Sequence, residues 1–328
     1  MTLGPGRPSS SAADRSAYGE VPAQRLAHLA REEGIGRSRR LEPSVAVDSA
    51  LLTGSFSASR GRRTGIADRP SLEEGRGAKI GADILRTLVV CSGGLDSVTL
   101  AHKVAVEQTL IHLVSFDYGQ RHRNELEYAH RCAERLGVGH DVVDIADVGR
   151  RLTGSALTDA VAVPDGHYAA ETMRLTVVPN RNAIMLAIAF GIAVARRAEA
   201  VAAAMHGGDH FIYPDCRPPF IDAFATMQRF ALVGLAEIAL ATPFLHLSKA
   251  DIVREGVLHA VPFAETWSCY KGGARHCGRC GTCVERREAF DVAGVDDPTD
   301  YDDAEYWREA RRVHHAGLQG KQAVTRRA

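Results

Sequence analysis

Short apolar runs alternate with amphipathic stretches along the middle of the chain. The run ILRTLVVCS, which begins at Ile84, is typical of a buried strand, and the stretch SVTLAHKVAVEQ after it has the spacing of a helix. Strands that alternate with helices indicate a parallel sheet covered on both faces. We therefore predict an α/β, Rossmann-like fold. The alternation continues through the strands LIHLVSF, HDVVDI, AVAAAMHG and IALATPF and the helices RNELEYAHRCAERLG, NRNAIMLAIAFGIAVARRA, PPFIDAFATMQRFALVG and SKADIVREGVLH.

Single residues mark the ends of several predicted helices. Gly137 follows an amphipathic stretch and is placed to stop a helix, because glycine adopts the left-handed backbone common after a helix end. Ser248 precedes another helix and is predicted to cap its first turn. Two prolines open the helix PPFIDAFATMQRFALVG, where a missing N–H costs little.

The pattern divides the chain into four parts. Residues 1–81 are rich in Ser, Gly, Arg, Ala and Pro, and we predict a disordered extension because such a segment buries too little apolar area to offset its ordering entropy. A start codon placed too far upstream and a basic arm for a partner are both consistent with it. Residues 82–262 carry the strand–helix alternation. Residues 263–313 predict a small helical metal-binding region, and residues 314–328 a flexible tail.

Charge and hydropathy indicate which partners and which cellular compartment to expect. Acidic and basic residues balance at 40 each, so net charge gives no attraction to nucleic acid or to an anionic membrane. We find no apolar run of the roughly 18–20 residues that a membrane span needs, and the first residues lack the apolar core of a signal peptide. We expect a cytoplasmic protein with no membrane and no direct nucleic-acid partner. A homodimer is one option for its assembly.

The string SGGLDS, at residues 92–97, lies between the first strand and the first helix. Glycines let the backbone approach a ligand closely, and the free N–H groups of a helix's first turn attract an anion. Ser92 and Ser97 can donate hydrogen bonds, whereas Asp96 would repel phosphate unless it binds Mg²⁺ or makes a hydrogen bond. An ordinary serine-capped turn is the alternative. The full string favours a phosphate site.

Four of the seven cysteines lie within fifteen residues, with the spacing C-x7-C-x2-C-x2-C. Four thiolates form a closed tetrahedral site for Zn²⁺, and a closed site leaves no position for water. We therefore predict one structural zinc ion per chain. Free or disulfide-bonded cysteines are the alternative, as is the replacement of one ligand by the adjacent His276. The predicted ligands are Cys269, Cys277, Cys280 and Cys283.

Several strings together resemble one enzyme family. SGGLDS resembles the signature of the PP-loop, or N-type, ATP pyrophosphatases, whose fold is adenine nucleotide alpha hydrolase-like. FDYGQRH, VPNRN, YPDCR and TWSCY resemble strings of the 7-cyano-7-deazaguanine synthases of queuosine biosynthesis. The resemblance covers residues 86–290. Two departures leave the fine substrate contacts open: Asn180 stands where the family commonly has glycine, and GGDH at residues 207–210 replaces a Glu-Thr-Asp string.

The resemblance implies an ATP-dependent ligase that forms carbon–nitrogen bonds. Its substrates would be 7-carboxy-7-deazaguanine, ammonia and ATP. One ATP adenylates the carboxylate and ammonia displaces AMP to give an amide; a second ATP adenylates the amide oxygen, and loss of AMP leaves the nitrile. The loop would hold pyrophosphate with Mg²⁺. The nucleotide-binding segment implied in this way comprises Cys91, Ser92, Gly93, Gly94, Leu95, Asp96, Ser97, Val98, Thr99, Leu100 and Ala101.

The same resemblance assigns roles to individual side chains. Lys249 could meet an α-phosphate and is otherwise a solvated surface lysine. Arg181 could pair with a carboxylate or a phosphate through its planar guanidinium, or be a surface charge at a helix start. With Asp96 and Ser97 they form the implied catalytic set. The implied substrate-binding residues are Arg121, His122, Asn182, Asp209, Asp215 and Arg217, with Asp215 meeting the N–H edge of the base or serving only its turn.

Three alternatives stay open at this stage. A tRNA thiolase also adenylates through a PP-loop, but it needs reactive cysteines or an iron–sulfur cluster and an RNA-binding surface. A zinc-ribbon module that binds nucleic acid would need aromatic residues interleaved with basic ones, and Tyr270 is the only aromatic within the cysteine segment. A ligase that joins a deazaguanine to a protein would share all the strings. Cys216 stands in a matched string, but the implied mechanism needs no nucleophilic thiol.

Overall fold

Five parallel strands form one sheet in the computed structural model, which describes residues 84–325. The order across the sheet is β3-β2-β1-β4-β5, and every neighbouring pair is parallel. The predicted α/β fold with a parallel sheet is confirmed. The extension predicted for residues 1–81 lies outside the described residues. The strands are β1 (Arg86–Val90), β2 (Thr109–Asp117), β3 (Gly139–Asp144), β4 (Ala200–Ala202) and β5 (Ala239–Ala241).

Helices cover both faces of this sheet. Side chains of a strand alternate between its faces, so Val89 and Ala202 pack with one group of helices and Leu88 and Val201 with the other. The first group comprises α1 (Leu95–Glu107), α2 (Glu125–Leu136), α7 (Lys249–Leu258) and α8 (Gly281–Ala293), and the second comprises α5 (Arg181–Ala195) and α6 (Pro218–Ala231). The remaining helices are the short α3 (Ala146–Gly149) and α4 (Ala170–Met173) and the longer α9 (Tyr306–Thr325).

The marked helix ends behave as the sequence predicts. Gly137 follows α2 with a left-handed backbone, at φ 67° and ψ 30°. Ser248 caps α7: its hydroxyl accepts from the backbone N–H of Asp251, and the Asp251 carboxylate accepts from the backbone N–H of Ser248. These two bonds satisfy N–H groups that have no partner inside a helix. They fix the point at which α7 begins.

The segment Arg174–Ala195 meets the length and composition test for a membrane span, with a mean hydropathy of 1.6. The expectation that no apolar run is long enough is therefore wrong. A single such segment is weak evidence, because core helices of soluble proteins pass the same test. Here α5 packs Leu186, Ala189 and Phe190 into the core beside β1 and β4. The absence of a membrane partner stays a prediction.

The C-terminal region differs from expectation in one respect. Helix α9 continues to Thr325, whereas we predicted a short helix and a flexible tail from residue 314. The stretch contains no proline to interrupt helical hydrogen bonds, and its first turns are anchored where Trp307 and Ala310 pack on Val284 of α8. The cysteine region is continuous with the sheet, since the described residues belong to one compact unit.

Candidate active site

The SGGLDS loop lies where the order of the sheet reverses. The next strand in the chain, β2, pairs with one edge of β1, and the later strand β4 pairs with its other edge. Ligands of open parallel sheets bind at such a point, outside the carboxyl ends of the strands. A cavity of about 240 Å³ opens there. It is far larger than the ~30 Å³ of one water molecule, so it has room for a small organic ligand.

The loop itself is shaped for close approach of an anion. Gly93 has a φ of +83°, and a Cβ there would lie 2.1 Å from the backbone oxygen of Glu125, so this position requires glycine. Gly94 precedes α1 without a side-chain cap, which leaves the first N–H groups of the helix available. The hydroxyls of Ser92 and Ser97 order the loop, since they lie 3.2 Å apart and Ser97 Oγ accepts from the Ser92 N–H.

Lys249 joins two carboxylates at the mouth of this loop. Its Nζ lies 2.6 Å from Asp96 Oδ2 and 3.3 Å from Glu285 Oε2. Burial alone would lower the pKa of Lys249, but attraction to Asp96 and Glu285 outweighs it and raises the pKa. Asp96 Oδ1 is buried and has no partner among the described residues. A buried carboxylate oxygen without a donor suits a bound cation, so the residues present fit Mg²⁺.

Arg181 is a second cation that lines the cavity. Its Nη1 donates to the Tyr118 hydroxyl at 3.3 Å, and its guanidinium lies 5.7 Å from the centre of that ring. Among residues 84–325 it forms no ion pair with a carboxylate, although neighbouring ionisable groups raise its pKa despite burial. A partly buried, charged and unpaired guanidinium is suited to bind an anionic ligand.

Two carboxylates of the cavity have pKa values that are shifted in opposite directions. Burial would raise the pKa of Asp209, but the charges of His206 and Lys249 lower it, and Tyr168 donates a hydrogen bond of 2.6 Å to its Oδ1. Burial raises the pKa of Glu125 to about 8, an effect only partly opposed by Gln120 and Arg181. Glu125 is therefore mostly protonated at neutral pH and ionises as the pH rises through about 8, whereas Asp209 stays ionised.

His122 and Asn182 also line the cavity, as predicted for substrate-binding residues. Burial, with the nearby charge of Arg181, lowers the pKa of His122 to about 3. The imidazole is therefore neutral at neutral pH. Asn182 donates from its amide nitrogen to Cys216 Sγ at 3.2 Å. Cys216 is buried beside Asn182, and burial raises the pKa of its thiol, which agrees with a structural role.

Three predicted substrate-binding residues lie outside the cavity. Arg121 donates to the backbone oxygens of residues 159 and 161 and so ties down a loop. Asp215 accepts from the Asn182 N–H at 2.9 Å, so it serves the start of α5. Arg217 donates to the His210 oxygen at the surface. The prediction that these three side chains meet the substrate therefore gains no support from the cavity and stays a prediction.

The predicted nucleotide-binding segment is also shorter than expected. Cys91, Ser92, Gly94, Leu95, Asp96 and Ser97 line the cavity. Gly93 does not line the cavity and packs instead against the backbone of α2. The following residues of α1 are buried away from the cavity and pack in the core, because a helix shows its first turn alone to a ligand at its end: Val98, Thr99, Leu100 and Ala101.

The four clustered cysteines converge on one point. Their sulfur atoms all lie within 4.8 Å of one another, and Cys277 Sγ is 3.9 Å from Cys283 Sγ. A tetrahedral Zn²⁺ site with Zn–S bonds of about 2.3 Å places its sulfurs about 3.8 Å apart. Backbone N–H groups of Arg279 and Cys280 point at Cys277 Sγ, as suits a thiolate. The cluster Cys269, Cys277, Cys280 and Cys283 can therefore hold a metal ion.

His276 is excluded from this cluster by its contacts. Its Nε2 accepts from the Ser268 N–H at 3.0 Å, and its ring stacks on Trp267 with centroids 4.3 Å apart. Burial lowers the pKa of His276 to about 4, so the ring is neutral. The imidazole thus supports the segment that forms one wall of the cavity.

Sequence reasoning missed several cavity residues. Glu125 opens α2 directly after the FDYGQRH string, and its position in a first helical turn was a signal that could have been used. Glu285 and Thr282 follow cysteines of the cluster on α8, but no local pattern indicates that α8 faces the loop. Trp267 and Tyr270 flank the first cysteine and line the same wall.

Comparison with known proteins agrees with this geometry. A 7-cyano-7-deazaguanine synthase from Rhizobium meliloti is 73% identical over 223 residues, which is 68% of this chain and 94% of the relative. The 7-cyano-7-deazaguanine synthase 1 of Mesorhizobium japonicum is 70% identical over 232 residues, 71% of this chain and 100% of the relative. A solved structure of the U34-tRNA thiolase NcsA from Methanococcus maripaludis aligns with a TM-score of 0.37 and 14% identity, over 66% of this chain and 67% of that one.

The family assignment rests on sequence over most of the described chain. The profile of the family described as queuosine biosynthesis protein QueC matches residues 86–294. That range contains the SGGLDS loop, Arg181, Lys249 and the four clustered cysteines. It also contains every strand of the sheet and α8. The chain therefore belongs to the QueC family.

Proposed function

We propose that this chain converts 7-carboxy-7-deazaguanine and ammonia into 7-cyano-7-deazaguanine at the expense of two ATP molecules. The relatives at 66–73% identity carry the name of this synthase, and they are matched over 94–100% of their length. The observation that carries the proposal is the arrangement of one cavity. Its loop suits phosphate, and two partly buried cations, Lys249 and Arg181, line the same space and can bind an anionic ligand.

The proposed reaction begins with adenylation, because a carboxylate is a poor electrophile. A substrate carboxylate oxygen attacks the α-phosphorus of ATP, and the bond to the β-phosphate oxygen breaks. The N–H groups of the loop and first turn of α1 stabilise the charge that develops on pyrophosphate. Lys249 stands beside Asp96 and can contact the α-phosphate. Mg²⁺, held by Asp96, would supply further stabilisation of this charge when bound.

The remaining groups orient the purine-like substrate. Arg181 lines the cavity and forms no ion pair with a carboxylate of residues 84–325, so we assign it to the substrate carboxylate. Asn182, His122 and Asp209 line the same space and offer hydrogen bonds to the base. Asp209 stays ionised, and an ionised carboxylate accepts hydrogen bonds from a guanine-like N–H edge. This carboxylate takes the role that the sequence suggested for Asp215.

We assign the cysteine cluster to Zn²⁺ and the enzyme to the cytoplasm. Four sulfur ligands favour zinc over harder ions such as Mg²⁺. With all four positions filled by sulfur, the ion would be structural. All seven cysteines are free, as in a reducing compartment. The proposal requires no direct nucleic-acid partner, since the cavity is sized for small molecules.

The test is a defined incubation. Purified protein with ATP, Mg²⁺, ammonium and 7-carboxy-7-deazaguanine is expected to yield 7-cyano-7-deazaguanine, identified by mass. AMP and pyrophosphate should each form twice per nitrile, because the carboxylate and then the amide oxygen are adenylated. Omitting ammonium should stop the reaction at the acyl-adenylate.

Two results would contradict the proposal. ADP and phosphate as primary products would exclude α–β cleavage and with it the assigned role of the loop. A deazaguanine attached to protein, with no free nitrile, would favour the protein ligase. Arg181→Ala should weaken binding of the substrate, because it removes the cation assigned to the substrate carboxylate. Arg217→Ala is the matched control and should not, since Arg217 lies at the surface outside the cavity.

A further inference from the structure

Glu125 stands apart from the other acidic side chains of the cavity. Four carboxylates line it: Asp96, Glu125, Asp209 and Glu285. Asp96 and Glu285 both contact Lys249, and Asp209 accepts a hydrogen bond from Tyr168 while lying in the field of Lys249. A cation beside a carboxylate lowers its pKa, although burial still leaves the pKa of Glu285 above its ordinary value despite Lys249. Neither Asp209 nor Glu125 forms an ion pair with a lysine or arginine in residues 84–325, but the charges of His206 and Lys249 lower the pKa of Asp209, whereas the one imidazole beside Glu125 is the neutral His122.

The two oxygens of Glu125 have different surroundings. Gln120 Nε2 donates to Oε1 at 3.1 Å, and the orientation of that amide is fixed because its Oε1 accepts from the Tyr118 N–H at 2.9 Å. His122 Nε2 is also nearest to Oε1, at 3.5 Å. The contacts of the carboxyl group within the described residues are made by Oε1, and none is made by Oε2. Oε1 is thus held in place, and Oε2 is free to take a proton.

The position of Glu125 relative to the loop is fixed by backbone packing. Gly93 approaches α2 so closely that a Cβ there would overlap the Glu125 oxygen. The Glu125 residue also lines the same cavity as Ser92, Gly94 and Asp96 of the loop. The groups that face it are Gln120 and His122 from the loop after β2, Arg181 from α5 and Cys91 from the end of β1. The activated carbonyl must lie in the same region, because it is bonded to the α-phosphate.

The proposed chemistry creates a need that the assigned residues do not meet. Ammonia adds to the acyl-adenylate as a neutral molecule and becomes a cationic nitrogen. The C–O bond to AMP then breaks with its electron pair, and the nitrogen must lose a proton to give the amide. Conversion of the adenylated amide into a nitrile removes further protons from the same nitrogen. Lys249 and Arg181 are cations, and His122 binds protons weakly.

We propose that Glu125 is the general base that accepts the proton from the substrate nitrogen when AMP leaves. In the first half of the reaction the C–N bond forms, the C–O bond to AMP breaks, and one N–H proton passes to Glu125 Oε2. In the second half the adenylated amide nitrogen carries two N–H protons: the first passes to water, and the second passes to Glu125 Oε2, which has by then released its earlier proton to water, as the C≡N bond forms and AMP departs with the electron pair of the C–O bond. Adenylation of the carboxylate transfers no proton and does not require Glu125. This inference rests on the proposed function.

The test separates adenylation from the nitrogen chemistry. Glu125→Gln keeps the shape of the side chain and its contact with Gln120 but removes the basic oxygen. Exchange of labelled pyrophosphate into ATP, dependent on 7-carboxy-7-deazaguanine, should stay near the wild-type rate. Formation of amide and nitrile should fall about 100-fold or more, the scale of a lost general base. Glu127→Gln, on the exposed side of the same helix, should change neither rate.

A second nucleophile gives a readout that a structural role would not move. Hydroxylamine is a stronger nucleophile than ammonia and is largely unprotonated at neutral pH, so hydroxamate formation by Glu125→Gln should be retained. Should this variant fail to fold, Glu125→Asp replaces it, with exchange retained and nitrile formation reduced. Equal losses of exchange and nitrile formation in a folded variant, or unchanged nitrile formation, would overturn the role of Glu125. Absence of exchange in the wild-type enzyme would instead overturn the proposed function.

Discussion

At the scale of single residues, the site is organised around the contact between Lys249 and Asp96. The Lys249 ammonium lies between two carboxylates and is largely buried, so its position is fixed by short contacts on two sides. Removal of one partner of a partly buried ion pair strongly destabilises the folded protein, because the other charge is left without compensation. The unpartnered Asp96 Oδ1 gives this cluster an additional place for a cation.

Replacement of Asp96 should impair catalysis more than binding of the deazaguanine. Asp96→Asn keeps the side-chain volume and removes the charge that faces Lys249 and the proposed Mg²⁺. Turnover should fall about 100-fold or more, as expected for loss of a preorganised electrostatic group. The KM for 7-carboxy-7-deazaguanine should change less, because Arg181 and Asp209 are intact. Steady-state kinetics of AMP release measures both quantities.

A matched variant controls for the loss of a carboxylate in general. Asp222 lies on the exposed face of α6 and does not line the cavity. Asp222→Asn should therefore leave turnover unchanged. An Asp96→Asn enzyme with wild-type turnover would refute the assigned role of the loop aspartate.

Residue-level prediction from sequence succeeded where a role follows from local position. Asp96 lies in the first turn of α1 and Lys249 at the start of α7, and both face the cavity. For Asp215 the sequence is ambiguous, because a turn aspartate beside a helix start can face either a ligand or the helix; here it accepts from the N–H of Asn182 at the start of α5. Residue-level prediction missed Glu285, whose approach to Lys249 depends on the long-range packing of α8 on α7.

At the scale of elements, the start of α7 connects local sequence to the site. The capping box of Ser248 and Asp251 fixes where the helix begins, and Lys249 is its first residue. The strand and helix pattern predicts the order of these elements well, because each apolar run is short and bounded. It overestimates β4 and β5, which have three residues each, since apolar residues beyond the sheet pack without strand pairing.

Removal of the cap should lower stability in a pH-dependent manner. Ser248→Ala is expected to cost about 0.5–2 kcal/mol of unfolding free energy, the usual range for an N-cap. Hydrogen bonds from Ser248 lower the pKa of Asp251, so the ionised carboxylate is favoured in the folded state. This contribution is present above the ordinary aspartate pKa of about 3.9 and is lost as pH falls through the lowered value. Urea unfolding at neutral and acidic pH measures it.

The comparison with wild type is the informative quantity. The stability difference between wild type and Ser248→Ala should be largest at neutral pH and should shrink in acid. Thr226→Ala, which removes another exposed hydroxyl from α6, should show no such pH dependence. A Ser248→Ala deficit that is constant from neutral to acidic pH would show that the Asp251 carboxylate plays no part in the cap.

At the scale of the whole molecule, the cysteine region is part of the active site as well as of the fold. Glu285 reaches Lys249 from α8, and Thr282, Trp267 and Tyr270 line the same wall. Arg286 is fully buried and connects α8 to the preceding segment through Phe263 O and Thr266 Oγ1, and to the following segment through Asp297. Sequence spacing predicts the cluster, but its role as a wall of the cavity follows only from the packing of α8.

Removal of the metal should therefore abolish activity and destabilise the fold together. The affinity of a structural zinc ion contributes directly to folding free energy, and here the cluster holds the start of α8, which carries Thr282 and Glu285. Cys280→Ser should lose the stoichiometric zinc measured by elemental analysis, melt at a lower temperature and lose pyrophosphate exchange. Cys132→Ala, a buried cysteine of α2 outside the cluster, should keep zinc and exchange. A Cys280→Ser enzyme without zinc that melts and turns over like wild type would show that the four thiolates support neither the fold nor the wall of the site.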